Sequence, residues 1–153
     1  MTEIKKILFP VDLTENSSKV LPYVRLFSEK YNSMIYLLHV SEDLRLWYRV
    51  DVPDLPRDSL NLFQKEALEI AEKAMNRVCE EQLHGCPNFQ RRITSGDPVT
   101  EILKFIDAED IDLVIMGTHS RKGLEHVVFG SVAENVVKKS PVPVMTMNPN
   151  KIK

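Results

Sequence analysis

Three of the chain's five glycines fall in one stretch, GlyThrHisSerArgLysGlyLeuGluHisValValPheGlySer, positions 117 to 131. Gly117 lets backbone approach a ligand closely or take a positive φ. Gly130-Ser131 stands where a helix would open, with Val132 and Ala133 in its first turn. The free N–H groups and the dipole of such a start make an anion site, and phosphate is its natural occupant. Glycines that merely cap a helix and serve turns would produce the same stretch, so the surroundings have to decide.

Those surroundings are apolar runs alternating with helical patterns. Residues 4 to 11 form a short apolar run ending at Pro10-Val11-Asp12, as expected of a strand buried on both faces of a parallel sheet. Asp12, Thr14 and Ser17 offer N-caps, after which Val20, Tyr23, Val24, Phe27 and Tyr31 recur at helical spacing. A second strand runs from Met34 to Val40. From Ser41 to about Arg57 the pattern breaks around Trp47, Tyr48, Pro53 and Pro56, which predicts a long crossover loop.

Leu60, Phe63, Ala67, Ile70, Ala71, Ala74, Met75 and Val78 then keep one apolar stripe over about five turns, up to the stop at Gly85-Cys86-Pro87. Phe89 to Thr94 alternates apolar and polar, which suits a strand at a sheet edge. Ser95 to Pro98 marks a turn into a helix carrying Val99, Ile102, Leu103 and Ile106 and closed by Asp110. A fourth strand, Ile111 to Met116, leads into the glycine-bearing loop; a helix with Val132, Val136 and Val137 follows, and the last strand is Val142 to Met147.

Five strands alternating with four helices, joined by right-handed crossovers, make an open doubly wound parallel sheet of the flavodoxin-like or Rossmann-like class. The edge character of residues 89 to 94 favours strand order 3-2-1-4-5. The 153 residues fit a single domain, with a structured core of about residues 3–148. In such sheets ligands bind beyond the carboxyl ends of the strands where the order reverses, here between strands one and four. Asp12 and the start of the glycine stretch should therefore face each other.

Charge and composition narrow the classes further. A formal net charge of −2 gives no general attraction for nucleic acid or an anionic membrane. The N-terminus carries charges on both sides of a short apolar run, and no run approaches the roughly 18 to 20 apolar residues of a membrane span, so the reading is a cytoplasmic protein. Cys79 and Cys86 lack the spacing of a redox or zinc motif and read as free thiols. No Walker Lys-Ser/Thr follows the glycines, and Asp12 is the one carboxylate at the strand end that faces them, so no catalytic set emerges.

The stretch from Gly117 resembles the phosphate-binding motif of the universal stress protein family, Gly-x-x-Gly-x9-Gly-Ser/Thr, with Gly117 at its first position and Gly130-Ser131 at its last pair. Ser120 replaces the second glycine. The resemblance covers essentially the whole chain: the start LysLysIleLeuPheProValAsp, LeuLeuHisVal at 37–40, SerGlyAspPro at 95–98, AspLeuValIleMetGlyThrHis at 112–119, and the ending from Ser131 to Met145. It implies a pocket for ATP or AMP, with Mg²⁺ held through phosphate oxygens. Pro10, Val11 and Asp12 would line the adenosine, and Val40 would contact the base. Met116, Gly117, His119 and Ser120 would flank ribose and phosphates, and Gly130, Ser131 and Val132 would hold the phosphate chain. It also implies a homodimer through Val142 to Met147, and a stress-response binding switch rather than a fast enzyme. The alternative is a nucleotide-free dimeric module whose pocket Ser120 has degraded; a slow ATP hydrolase comes third. Outside the resemblance, Asp12 has a second reading as a helix cap, His119 as a solvated loop residue, and His39 as a satisfied core histidine.

Overall fold

A computed structural model of the chain describes residues 2–43, 57–118 and 129–152. The elements are β1 (Lys6–Pro10), α1 (Glu15–Tyr31), β2 (Met34–Glu42), α2 (Arg57–Gln82), β3 (Phe89–Gly96), α3 (Pro98–Glu109), β4 (Leu113–Gly117), α4 (Ser131–Lys139) and β5 (Val144–Met147). The strands form one parallel sheet in the order β3-β2-β1-β4-β5, as the sequence predicts. Most of the predicted crossover, residues 44–56 with Trp47 and Tyr48, lies outside the described residues.

The period of two along a strand separates two cores, one on each face. Ile7 and Phe9 of β1, Ile35 and Leu37 of β2, and Leu113 and Ile115 of β4 pack against Val20, Leu21 and Val24 of α1 and Met75 of α2. Leu8, Tyr36, Leu38, Val114 and Met116, the intervening residues, pack against Ile102, Phe105 and Ile106 of α3 and Ala133 and Val136 of α4. The three central strands are buried on both faces, which is why they read as unbroken apolar runs.

The two edges differ. On β3, Arg91 lies 3.7 Å from Glu72, while Arg92, on the opposite face, lies 3.5 Å from Glu109 and 5.3 Å from the centre of the Phe105 ring. These charges keep the edge polar. At the other edge β5 is short and uncharged, and it begins after Pro143, whose carbonyl accepts from Val114 N–H at 3.0 Å. Pro143 has no N–H to give, so the strand starts two residues later than its apolar run.

Two further boundaries move. β3 does not stop at Thr94 but pairs with β2 through Gly96↔Glu42, so Ser95 and Gly96 are strand rather than turn. Gly96 takes φ +148°, where a side chain would be strained, and an added Cβ would sit 3.0 Å from Cγ of Glu101.

The second correction concerns α2. Its 26 residues are about 39 Å long at 1.5 Å per residue, longer than any strand it packs on. Ala71 and Met75 are buried, but Phe63 and Ile70 of the same stripe are 53% and 68% exposed. Part of the stripe in the amino-terminal half of the helix is thus exposed, so helical periodicity there does not mean burial.

Candidate functional site

Because all the strands run parallel, their carboxyl ends lie on one side of the sheet, and a cavity of about 970 Å³ opens there. Its walls come from residues far apart in sequence: Pro10 to Asp12 at the end of β1, Leu38 to Glu42 of β2, Met116 to Thr118 at the end of β4, and Gly130 to Ala133 at the start of α4. Of the residues predicted for the site, Pro10, Val11, Asp12, Val40, Met116, Gly117, Gly130, Ser131 and Val132 all line it. His119 and Ser120 lie outside the described residues.

The start of α4 is open. Gly130 is its N-cap and provides no side-chain hydrogen bond, and the first helical bond runs from Glu134 N–H to Gly130 C=O at 3.0 Å. The N–H groups of Ser131, Val132 and Ala133 therefore have no partner within the helix, and they sit where the positive end of its dipole lies. One expectation needs correcting here. Gly130 N–H is already taken, donating to the Thr118 carbonyl at 2.7 Å, so the N–H groups left open at this helix start are those of 131 to 133.

That same bond ties the two ends of the 118–130 segment together, while Thr118 N–H donates to Met147 C=O at 2.8 Å and fixes the entry to the edge strand. Gly117 is the last residue of β4, paired with Met147, and is not among the described residues of positive φ. The positive-φ reading is therefore set aside, and Gly117 stands in the cavity wall without a side chain.

Asp12 does two things. Its Oδ1 accepts from Thr14 N–H at 2.9 Å, from the Thr14 hydroxyl at 2.7 Å and from the Ser17 hydroxyl at 2.6 Å, while Asp12 N–H donates to Ser17 Oγ at 3.0 Å. This network closes the start of α1, whose N-cap is Thr14, and it holds Leu13 at φ 65°, a conformation an L residue adopts only at a cost. The cap itself is Thr14, whose hydroxyl oxygen accepts from Asn16 N–H at 3.3 Å, so Asp12 braces the capping residue with one oxygen rather than capping the helix as predicted. Oδ2 has no partner among the described residues and remains available in the cavity wall.

Some of the lining is absent from the sequence-based list. Ala67, Ile70, Ala71 and Ala74 of α2 border the cavity, as do His39 and Ser41 of β2 and Pro98 and Ile102 of α3. The alanines recur at helical spacing, but that spacing does not say that they border a cavity. His39 Nδ1 lies 2.8 Å from the Val11 carbonyl, so the tips of β1 and β2 are joined by a side chain as well as by the Val11 N–H bond to Leu38 C=O at 2.9 Å.

Comparison with known proteins places this architecture. The profile of the universal stress protein family matches residues 3–147. Universal stress protein MJ0577 of Methanocaldococcus jannaschii is 31% identical over 94% of this chain and 94% of its own length. The solved structure of MJ0577 superposes with a TM-score of 0.80, covering 95% of this chain and 96% of that one at 30% identity. Two more distant structures share the fold. One is a universal stress protein in complex with cAMP, with TM-score 0.59, 16% identity, and coverage of 96% of this chain and 98% of that one. The other is the universal stress protein of Archaeoglobus fulgidus in complex with dAMP, with TM-score 0.54, 19% identity, and coverage of 95% and 98%. The open parallel sheet, the glycine-bearing segment at its switch point and the match along nearly the whole length agree, and the chain belongs to the universal stress protein family.

Proposed function

We propose that the chain binds an adenine nucleotide, ATP or AMP, in the cavity at the carboxyl end of the sheet, and that it works as a binding switch in a stress response rather than as a fast enzyme. The observation that carries this reading is the uncapped start of α4 opening on that cavity. Phosphate oxygens accept from the N–H groups of Ser131, Val132 and Ala133, and the exposed Ser131 hydroxyl adds a further donor. Asp12 Oδ2 accepts from a ribose hydroxyl, and Pro10, Val11, Val40 and Met116 supply apolar wall. Support also comes from the two proteins of this fold whose structures hold cAMP and dAMP.

Among the described residues no three of His, Cys, Asp and Glu gather in one place. Mg²⁺ then binds through phosphate oxygens and water, an arrangement that favours retention over rapid turnover. Two copies pair along β5, the edge without charges, with half-exposed Val137 of α4 beside it. No described helix is long and apolar enough to cross a membrane.

The test is whether nucleotide is there. Mass spectrometry of the purified, heat-extracted protein should show an adenine nucleotide, and ATP with Mg²⁺ at a hundred times Kd should raise the melting temperature by about 5 to 10 °C. A protein that carries no nucleotide and shows no shift is the nucleotide-free dimeric module instead.

A further inference from the structure

We infer that His39 reads hydrogen-bond donors in the cavity: its Nε2 accepts from an N–H or O–H of the bound ligand, either the exocyclic amine of the base or a ribose hydroxyl. The inference rests on the nucleotide reading above and specifies which chemical groups the site selects.

The geometry starts from the strand. His39 falls in register with Ile35 and Leu37 at a spacing of two, so it faces the side of the sheet covered by α1 and α2, and it is half-buried in the cavity wall. Its Nδ1 lies 2.8 Å from the Val11 carbonyl oxygen. A carbonyl oxygen accepts and cannot donate, so Nδ1 carries the hydrogen. The neutral ring then presents Nε2 as a lone-pair acceptor, and the tautomer is set by the end of β1 rather than by the ligand. Nε2 has no partner among the described residues.

The neighbourhood gives that lone pair a selective value. The part of the wall contributed by α2 is apolar, formed by Ala67, Ala71 and Ala74, although Asn16, Ser17 and Ser41 also line the cavity. A ligand seated there displaces water from Nε2, and leaving an acceptor unsatisfied is costly unless the ligand brings a donor. The cavity is thus polarised end to end. At α4 it offers the backbone donors of Ser131 to Ala133; at β1 and β2 it offers the acceptors Asp12 Oδ2 and His39 Nε2, beside hydroxyls such as that of Ser41 that can do either. A nucleotide has the complementary polarity, with acceptors on its phosphates and donors on its sugar and on an amino-bearing base.

Four nucleotides and two variants test this. Isothermal titration gives Kd for ATP, for ITP, in which a carbonyl replaces the amine, and for 2′-deoxy-ATP and 3′-deoxy-ATP. Wild type should bind ATP about tenfold more tightly than one of the three analogues, and that analogue identifies the donor. His39→Asn places an amide nitrogen near the position of Nδ1, keeping the bond to Val11 while deleting the acceptor at Nε2. It should bind ATP about tenfold more weakly, lose the preference over that analogue, and melt at the wild-type temperature. His39→Gln, whose carbonyl reaches the Nε2 position, should restore part of the preference. If wild type binds all four alike, or if His39→Asn keeps the ATP preference, the role of His39 is refuted while nucleotide binding stands. Failure of wild type to bind any of the four removes both. The comparison within wild type needs no variant, so it holds even where a substitution prevents folding.

Discussion

Helices α3 and α4 lie on the same face of the sheet, start at the same end of it, and enter their first turns through nearly the same backbone. The N-cap of α3 is Asp97 at φ −77°, ψ 123°, and that of α4 is Gly130 at φ −69°, ψ 157°. What differs is the side chain. Asp97 Oδ2 accepts from Thr100 N–H at 2.9 Å and from the Thr100 hydroxyl at 2.8 Å, which satisfies the end of α3 from within. α4 has nothing equivalent, and α1, which also borders the cavity, is closed by the Thr14–Asp12–Ser17 network. A start left to glycine in place of a capping side chain costs the protein roughly a few tenths of a kcal/mol. Two neighbours are closed and the third is open toward a cavity, and the proposed nucleotide phosphates use that open start.

Swapping the difference should produce the largest effect. Gly130→Asp gives α4 the cap that α3 has, in a backbone conformation that aspartate adopts without strain. The carboxylate occupies the N–H groups and repels phosphate, so the thermal shift produced by ATP and Mg²⁺ should disappear. The nucleotide-free protein should at the same time become more stable, by about 0.5 kcal/mol from the cap and helix dipole. Loss of the shift together with loss of stability would mean a damaged fold and would break the comparison. An ATP shift of wild-type size would place the phosphates elsewhere.

A change at the closed start of α1 comes next. Asp12→Ala removes the acceptor of three hydrogen bonds and should lower stability by about 1 to 2 kcal/mol in urea unfolding, with or without ligand. Asp12→Asn keeps an acceptor for the turn and should recover most of that. If both variants match wild type in urea, the network around Ser17 adds nothing to the fold. The same pair checks the chemistry: sustained phosphate release from ATP by wild type, lost in Asp12→Ala, would make the chain an enzyme.

Most of the fold was legible because burial on two faces writes itself as an apolar run. β1, β2 and β4 are such runs, and the arginines of β3 marked it as an edge, which was enough to order the sheet. The half-exposed stripe of α2 was not legible, since a period of 3.6 says which side of a helix is apolar and not how far the sheet beneath it extends. At the site, the sequence located both ends of the glycine stretch but not how their hydrogen bonds are spent. That Gly130 N–H goes to Thr118 depends on where the segment returns, and that Asp12 uses one oxygen for α1 depends on Leu13 adopting a left-handed turn. Ala67 and Ala74 reach the cavity from a separate crossover, a proximity that no local pattern encodes.

The smallest expected effect lies at α3, and its pH dependence distinguishes a cap from a neutral contact. The N–H and hydroxyl of Thr100 hold the Asp97 carboxyl below the usual carboxylate range. A folded-state value lower than the unfolded one, near 3.9, means that the stabilisation is complete above that pH and fades as pH falls through the lower, folded-state value. Asp97→Ala should therefore cost about 1 kcal/mol at pH 7 and Asp97→Gly less, with both gaps to wild type closing below about pH 4. Measured as urea midpoints between pH 2.5 and 7, a gap that stays constant would show that the carboxylate charge contributes nothing. The comparison also makes a demand on α4: the Gly130→Asp variant should acquire, in its nucleotide-free form, the same loss of stability in acid that Asp97 gives wild type, because the two helix starts would then differ in neither backbone nor charge.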